Sequence, residues 1–266
     1  MSGQLLGTAL TAARAGAQTL RSLWGRHLQV EQKQRFDFVT NADMQAEEAV
    51  LAVIRANHPD HAILAEESAG DFSQAAQTPG VLWVVDPLDG TTNFIHGFPH
   101  VAVSVAALEN GIPSAGVIID VIRGEEFAAA RGQGVTLDGK KVKVSTVSDP
   151  AGALLLTGFP FKQKDRLDSY LELFAELFRQ ASGVRRAGAA ALDLAYIAAG
   201  RAEAFWEMGL KPWDLAAGLL MVEEAGGMVS DFDGKGQTLW RGDVVAANQE
   251  LHGLVQAACG RIFPGG

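Results

Sequence analysis

Apolar positions along the first half of the chain follow two different periods. Between Gly3 and His27 they recur every three or four residues, which predicts an amphipathic helix. A second helix is predicted to begin after Thr40 or Asn41, either of which can serve as its N-cap, and to end at Asn57. Short apolar runs separated by turn residues come next and predict a meander of mostly antiparallel strands. The predicted strands are His61–Ala65, Val81–Val85, Val101–Leu108, Ala115–Val121 and Glu126–Ala130.

Turn residues separate these strands. Asn110-Gly111 predicts a type I′ hairpin, because both central positions of that turn need a positive φ. Asp138-Gly139 marks a second tight turn, and the polar stretch Asp71–Gly80 is predicted to be a loop.

Helices and strands alternate in the second half of the chain. The predicted strands are Leu154–Thr157, Ala202–Glu207, Met228–Ser230 and Val244–Ala247. The predicted helices are Leu167–Arg179, Ala189–Ala199, Trp213–Ala225 and Leu251–Cys259. Such alternation is typical of layered α/β architecture. We expect a single domain over residues 1–266, with a soft subdomain boundary near residues 148–150.

Composition and charge narrow the class of protein. Of 266 residues, 48% are hydrophobic and 20% charged, which excludes an intrinsically disordered chain. Lys and Arg number 22 against 31 Asp and Glu, so the net charge is −9, and an acidic chain without a basic run is not expected to bind nucleic acid. The single cysteine, Cys259, excludes an internal disulfide. Neither a signal peptide nor a run long enough to span a bilayer is found, so we expect a cytoplasmic protein without a membrane partner.

Acidic side chains gather where two predicted strands end. One apolar strand runs directly into Asp86-Pro87-Leu88-Asp89-Gly90, and an earlier one ends in Glu66-Glu67. If the two strands are neighbours, Glu66 meets Asp86 and Asp89 at the carboxyl ends, where α/β sheets bind ligands. Crowded carboxylates repel one another unless a cation lies between them. Carboxylates and a backbone carbonyl, here that of Leu88, are the ligands that Mg²⁺ prefers.

Two further acidic residues have a simpler interpretation as helix caps. Asp214 stands at the start of an otherwise apolar helix, and Asp43 follows Asn41 by two residues. The segment Gly90-Thr91-Thr92 can present backbone N–H groups to an anion, above all if a helix begins there. Beside a magnesium site, this arrangement predicts metal-assisted attack on a phosphate ester.

Four motifs together resemble the inositol monophosphatase family, in its order and spacing. They are Val39-Thr40-Asn41-Ala42-Asp43, Glu66-Glu67-Ser68, Asp86-Pro87-Leu88-Asp89-Gly90-Thr91-Thr92-Asn93-Phe94 and Trp213-Asp214-Leu215-Ala216-Ala217-Gly218. The resemblance covers nearly the whole chain and points to the superfamily of lithium-sensitive, magnesium-dependent sugar phosphatases. It implies the five-layer αβαβα sandwich of inositol monophosphatases and fructose bisphosphatases, and a homodimer.

The resemblance also implies a role for each residue of the site. The implied metal ligands, for two or three Mg²⁺ ions, are Glu66, Asp86, Asp89, Asp214 and the Leu88 carbonyl. Glu66, Thr91 and Asp43 are implied to orient and deprotonate the attacking water. The implied contacts to substrate come from Gly90, Thr91, Gly188, Ala190, Glu207 and Asp214. Ala189 stands where the family commonly has Ser or Thr, so one hydroxyl near the substrate is missing.

The expected reaction is hydrolysis of a small polyol monophosphate, such as inositol 1-phosphate, by a water activated at the magnesium site. Thr92-Asn93 favours this branch, because related bisphosphate nucleotidases and histidinol phosphatases usually carry Lys or Arg after the first Thr. Fructose-1,6-bisphosphatase, histidinol-phosphatase and nucleotide 3′-phosphatase activities are alternatives within the superfamily. An alternative from another class is a non-catalytic regulator that keeps the fold and binds a protein partner.

Overall fold

The structure, a computed structural model, describes residues 2–34, 37–159, 164–236 and 238–264. The helices in these ranges are α1 (Ser2–Leu23), α2 (Asn41–Asn57), α3 (Thr91–His96), α4 (Leu167–Phe178), α5 (Ala190–Ala198), α6 (Pro212–Glu224), α7 (Thr238–Arg241) and α8 (His252–Ile262). The strands are β1 (Val30–Gln34), β2 (Asp37–Thr40), β3 (Ala62–Ala65), β4 (Val81–Asp89), β5 (Ala102–Glu109), β6 (Ile112–Asp120), β7 (Glu126–Ala130), β8 (Gly134–Leu137), β9 (Lys140–Val142), β10 (Leu154–Thr157), β11 (Gly183–Arg185), β12 (Ala204–Glu207), β13 (Met228–Ser230) and β14 (Val244–Ala247). Short 3-10 helices cover Ala75–Gln77, Pro150–Gly152 and Lys164–Arg166.

The two N-terminal helices begin and end where local chemistry dictates. Thr40 is the N-cap of α2, since its hydroxyl accepts a hydrogen bond from the N–H of Ala42 at 3.0 Å. α1 ends at Leu23, four residues before the predicted end at His27. The reason is Gly25, whose φ of +72° places it in the left-handed region that ends helices.

The larger sheet has seven strands in the order β3-β4-β5-β6-β7-β8-β9. β3 and β4 are parallel and every later pair is antiparallel, so the predicted meander is confirmed. Asn110 and Gly111 have φ values of +51° and +82°, as a type I′ turn requires. β4 extends to Asp89 rather than Val85, and its pairing with β5 shifts between Asp86 and Asp89. That irregularity accommodates Pro87, which has no N–H to donate.

The second sheet has five strands in the order β11-β10-β12-β14-β13. β11, β10 and β12 run parallel, whereas β14 is antiparallel to both of its neighbours. Several short strands were not predicted, namely the β1–β2 hairpin, β8, β9 and β11. Each has only three to five residues, and most of those residues are polar or half-exposed, so no period of apolar residues marks them.

Helices and sheets alternate in five layers. α1 and α2 cover one face of the seven-stranded sheet, α5 and α6 lie between the two sheets, and α4 and α8 cover the far face of the five-stranded sheet. Phe205 and Trp206 show how a strand serves two layers, because these successive residues of β12 point into different apolar clusters. The predicted αβαβα sandwich is confirmed.

The larger sheet ends at Val142 and the second sheet begins at Leu154. The predicted subdomain boundary near residues 148–150 falls in the segment between them, and the division itself stays a prediction. Among the helices of the described ranges, none combines the length and apolar character needed to cross a membrane.

Candidate active site

Glu66 and Asp86 lie side by side at the ends of two parallel strands. Ala65 of β3 is paired with Val85 of β4, and the N–H of Glu66 donates to the carbonyl of Val85 at 3.1 Å. The next residue on each strand is therefore Glu66 on one and Asp86 on the other. The two strands are therefore neighbours in the sheet, which is the condition under which Glu66 was expected to lie near Asp86.

The irregular end of β4 turns two more groups toward the same place. Asp86 Oδ1 accepts a hydrogen bond from the N–H of Leu88 at 2.9 Å, so the chain folds back on the Asp86 carboxylate. Asp89 Oδ2 accepts from the N–H of Ala191 in α5 at 2.8 Å. The Leu88 carbonyl lies 3.2 Å from the Thr91 hydroxyl. Pro87 restricts this turn because its φ is fixed.

Asp214 reaches the site from the first turn of α6. Its Oδ2 accepts a hydrogen bond from the backbone N–H of Lys211 at 2.7 Å, so the expected role in capping α6 is present. Helix α6 packs against β4, and the negative charge of Asp214 raises the pKa values of Asp86 and Asp89. Capping and proximity to the acidic cluster therefore occur together.

The electrostatics of this cluster suit a cation. Burial, followed by the charges of Glu66, Asp89 and Asp214, raises the pKa of Asp86 well above its usual range. Burial, followed by the charge of Asp214, raises the pKa of Asp89 to about 8. Within the described ranges, no three His, Cys, Asp or Glu side chains are already grouped tightly enough to hold a metal ion. The chemistry of the donors, all carboxylate or carbonyl oxygens that repel one another, fits Mg²⁺.

Asp43 and Thr91 form a hydrogen-bonded pair beside the cluster. The Thr91 hydroxyl donates to Asp43 Oδ1 at 2.9 Å. Asp43 Oδ2 accepts from both the N–H and the hydroxyl of Thr40, at 2.8 and 2.7 Å, which caps α2. Asp43 thus has the capping role predicted from its position and also faces Thr91. Burial raises the pKa of Asp43, although the hydrogen bonds from Thr40 and Thr91 oppose the shift.

Gly90 brings the turn before α3 against the loop before α5. Its φ is +93°, and a Cβ at this position would lie 3.0 Å from the carbonyl oxygen of His100 and 3.3 Å from that of Gly188. Only glycine meets both constraints without strain. Asn93 joins the same two segments, because its Nδ2 donates to the carbonyls of His100 and Ala187 at 2.8 and 2.9 Å. Gly90, an expected phosphate contact, and Gly188, an expected substrate contact, therefore lie next to each other.

The predicted substrate side of the site is formed by α5 and β12. Ala190 is the first residue of α5, and Glu207 is the last residue of β12. Burial, followed by the charge of Asp193, raises the pKa of Glu207 well above its usual range, and the Arg186 guanidinium opposes the shift. Ala189, the N-cap of α5, has no side-chain oxygen to offer. Asp193 and Asn93 were not among the predicted site residues, although Asn93 lies within a quoted motif and Asp193 lies three residues after the predicted contact Ala190.

Comparison with known proteins identifies the family of the chain. A sequence profile of the inositol monophosphatase family matches residues 2–262. The chain belongs to the inositol monophosphatase family. The resemblance inferred from the four motifs is thereby confirmed at the level of the family and of its fold.

Three similar proteins illustrate the range of the family. The chain is 50% identical over 248 residues to the Nus factor SuhB of Pseudomonas aeruginosa, which covers 92% of this chain and 91% of the relative. The extragenic suppressor protein suhB of Bartonella henselae superposes with a TM-score of 0.90 at 36% identity, covering 98% of this chain and 99% of that one. The inositol monophosphatase of Anabaena superposes with a TM-score of 0.85 at 38% identity, covering 98% and 97%.

Proposed function

We propose that this protein is a magnesium-dependent phosphate monoester hydrolase that acts on a small polyol monophosphate, with inositol 1-phosphate as the first compound to test. One observation carries the proposal. The end of β4 gathers Asp86 and Asp89 with Glu66 and Asp214, and the Thr91–Asp43 hydrogen bond lies directly beside them. A cation site can activate a water molecule for attack on a phosphate. A neighbouring hydroxyl that is hydrogen-bonded to a carboxylate can orient that water and accept its proton.

The acidic cluster would hold two or three Mg²⁺ ions. The ligands are Glu66, Asp86, Asp89, Asp214 and the Leu88 carbonyl. Bound Mg²⁺ supplies Lewis-acid stabilisation of the charge on the transferring phosphate and lowers the pKa of water. Asp86 and Asp89 are buried, so their charges are only weakly screened by solvent and attract a cation strongly.

Glu66, Thr91 and Asp43 handle the attacking water. The Thr91 hydroxyl donates its hydrogen to Asp43 Oδ1, so the Thr91 oxygen is left to accept a hydrogen from water. Asp43 is suited to receive a proton through Thr91, because burial raises the pKa of its carboxyl. Glu66 orients the same water from the end of β3. The water gives one proton to Asp43 through Thr91 and attacks phosphorus in line with the leaving alkoxide. The P–O bond to the alcohol breaks with its electron pair on the alcohol oxygen, and the alkoxide takes up a proton from solvent water as it leaves.

The remaining predicted residues hold the substrate. The backbone N–H groups of Gly90 and Thr91 stand at the first turn of α3 and bind phosphate oxygens. Gly188, Ala190, Glu207 and Asp214 contact the hydroxyl groups of the polyol. A Glu207 that stays protonated, as its raised pKa favours, can donate a hydrogen bond to a sugar oxygen as well as accept one.

Phosphate release from a panel of substrates tests this proposal. The panel contains inositol 1-phosphate, fructose 1,6-bisphosphate, histidinol phosphate and a 3′,5′-bisphosphonucleoside, each with Mg²⁺, with excess EDTA and with millimolar lithium. We expect the inositol ester to be hydrolysed fastest, only with Mg²⁺, and less rapidly with lithium. Full activity in EDTA would overturn the mechanism. A large preference for another member of the panel would replace the substrate and leave the mechanism intact.

A second candidate function comes from the names of the relatives. The Pseudomonas aeruginosa relative, 50% identical, is named a Nus factor, which is compatible with the alternative of a regulator that binds a protein partner. The discriminating experiment is complementation of a P. aeruginosa strain that lacks its SuhB. Restoration by this chain and equally by its Glu66→Gln variant would assign a role that does not need hydrolysis. Restoration by the unchanged chain alone would favour catalysis.

Oligomeric state and location complete the proposal. We expect a homodimer in the cytoplasm, with a small phosphorylated polyol as ligand and neither nucleic acid nor membrane as partner. Sedimentation at micromolar concentration measures the first of these directly. A monomer mass would refute the dimer and would leave the catalytic proposal untouched.

A further inference from the structure

A buried hydrogen-bonded pair links the two halves of the chain beside the predicted substrate residues. His100 Nε2 lies 3.2 Å from Asp193 Oδ1. Both residues are buried, with 6% of the surface of His100 and 1% of that of Asp193 exposed. His100 precedes β5 of the larger sheet, and Asp193 lies in the first turn of α5. Neither side chain is among the predicted metal ligands or substrate contacts.

The same histidine is attached to the segment before α5 through its backbone as well. Its carbonyl accepts from Asn93 Nδ2 at 2.8 Å, and that amide group also donates to the carbonyl of Ala187. On the other side, the N–H of Asp193 donates to the carbonyl of Ala189 at 3.0 Å. His100 therefore has two links to residues 187–193, one through Asn93 and one through Asp193.

Residues 187–193 carry several groups that the proposed reaction needs in place. Gly188 and Ala190 are the predicted contacts to the substrate, and the N–H of Ala191 donates to Asp89. An error of about 1 Å in such a segment can cost roughly 10²-fold in rate. A contact that holds this segment in place can therefore increase the rate of the proposed reaction even if it adds nothing to the stability of the fold.

Stability is a poor explanation for the pair. A buried polar pair is often no more stabilising than apolar side chains of the same size, because both of its groups lose their hydration on burial. The Asp193 carboxylate also adds negative charge near Glu207, whose pKa it raises. Burial raises the pKa of Asp193, and the hydrogen bond with His100 opposes that shift and fixes the position of the carboxyl group.

We propose that His100 and Asp193 are a positioning pair, which holds the first turn of α5 and the loop before it in register with the phosphate-binding turn at Gly90. The pair acts through residues 187–191 and takes no part in proton transfer to the substrate. This inference rests on the proposed function for its kinetic consequences, but its structural consequence can be measured without any substrate.

The experiment compares His100→Leu, Asp193→Asn and a matched control, His252→Leu. His252 is similarly buried, at 7% exposed, and is hydrogen-bonded to Ser230, but it lies in α8 on the far layer of the molecule. Asp193→Asn is the conservative variant, because its amide oxygen can still accept from the imidazole N–H. The readouts are KM and kcat for inositol 1-phosphate with Mg²⁺, and hydrogen exchange of the amides of residues 187–193.

For His100→Leu we expect KM to rise about 10-fold, below the cost of a full 1 Å error, with kcat within about 3-fold of the unchanged chain. Amides 187–193 should exchange faster. In Asp193→Asn, KM and the exchange rates of amides 187–193 should stay close to those of the unchanged chain. His252→Leu should alter neither KM nor these exchange rates. A merely structural pair would lower the melting temperature and the active fraction in both leucine variants while leaving KM unchanged, and that result would overturn the proposal.

Two further outcomes are decisive. If His100→Leu does not fold, because it leaves a buried carboxylate unpaired, Asp193→Ala removes the carboxylate itself and must raise KM and exchange in the same way. If the unchanged chain releases no phosphate, the proposed function fails, while exchange at residues 187–193 still decides the pair. Unchanged exchange in a folded His100→Leu or Asp193→Ala variant would refute it.

Discussion

Asp89 Oδ2 accepts a hydrogen bond from the N–H of Ala191 at 2.8 Å, across a separation of 102 residues in the sequence. Ala191 lies in the first turn of α5, whose own N-cap, Ala189, has no side-chain acceptor. The N-terminal N–H groups of a helix need such an acceptor. Asp89 thus provides from β4 the cap that α5 lacks, and the same carboxylate is predicted to bind Mg²⁺. The proposed metal binding and the observed cap of α5 therefore both depend on the side chain of Asp89.

Replacing Asp89 by Asn and by Ala should separate these two roles. Asp89→Asn keeps an oxygen that can accept from Ala191, so the melting temperature in EDTA at neutral pH should stay equal or rise, because the variant removes a carboxyl group that ionises only at a free-energy cost among its acidic neighbours. The Mg²⁺ concentration that gives half-maximal activity should increase about 10-fold or more in this variant, since a neutral amide is a poorer ligand than a carboxylate. Asp89→Ala should lose the cap as well, at a cost of about 1 kcal/mol.

The measurements are thermal melts in EDTA and activity over a range of Mg²⁺ concentrations. An Asp89→Asn variant with the Mg²⁺ requirement of the unchanged chain would show that Asp89 only caps α5. Equal melting temperatures for the Asn and Ala variants would show that the cap contributes nothing.

Ala189→Ser should give α5 a cap of its own. Serine is a favoured N-cap, and the gain expected from the added hydroxyl is about 1 kcal/mol where space allows. Space is limited, because Ala189 is buried, with only 1% of its surface exposed. We expect a small rise in melting temperature, retained activity and a shift in relative rates across the substrate panel. Identical relative rates would show that the missing hydroxyl does not influence substrate choice.

The sequence was informative wherever function depends on residues close together in the chain. The end of β4 was identified because apolar residues run into Asp86-Pro87-Leu88-Asp89, and its partner Glu66 was placed by assuming that two strands are neighbours. Helix α2 and its cap could be predicted from Thr40 and Asp43 for the same reason: the capping contacts are local.

Contacts between distant segments could not be predicted in this way. The His100–Asp193 pair joins residues 93 positions apart, and neither residue type nor local period distinguishes it from other buried polar residues. The β1–β2 hairpin was missed because its residues are mixed in polarity. The His100–Asp193 pair depends on how α5 packs against the larger sheet, which only the tertiary structure supplies.

Glu66→Gln should remove the residue that orients water while keeping its shape. We expect a loss of roughly 10²–10⁴ in kcat even at saturating Mg²⁺, which is the usual contribution of general base catalysis. Glu48→Gln is the matched control, because Glu48 lies on the exposed face of α2. Its kcat should equal that of the unchanged chain. Wild-type turnover in the Glu66 variant would remove Glu66 from the mechanism.

Stability without metal should fall as the pH rises. The pKa of Asp89 in the folded protein is about 8, against 3.8 for an ordinary aspartate, and that of Asp86 is also raised well above its usual range. The folded protein therefore binds protons that the unfolded chain releases, and this contribution to stability is lost as pH rises toward about 8. In EDTA the melting temperature should decrease as the pH rises from about 4 to about 8. With Mg²⁺ the decrease should be smaller, because the cation favours the charged carboxylates.

Two histidines act in the opposite direction and must be separated from this effect. Burial lowers the pKa values of His58 and His252, so their contribution to stability is lost as pH falls below about 6.5. Comparison of Asp89→Asn with the unchanged chain at each pH cancels the histidines, which are common to both. In EDTA the Asn variant should show the flatter profile, and the difference between the two proteins should grow steadily up to about pH 8. If the melting temperatures of the two proteins followed parallel curves against pH, Asp89 would be charged in the folded protein even without Mg²⁺. A positive group other than Mg²⁺ would then have to stabilise the charged carboxylate.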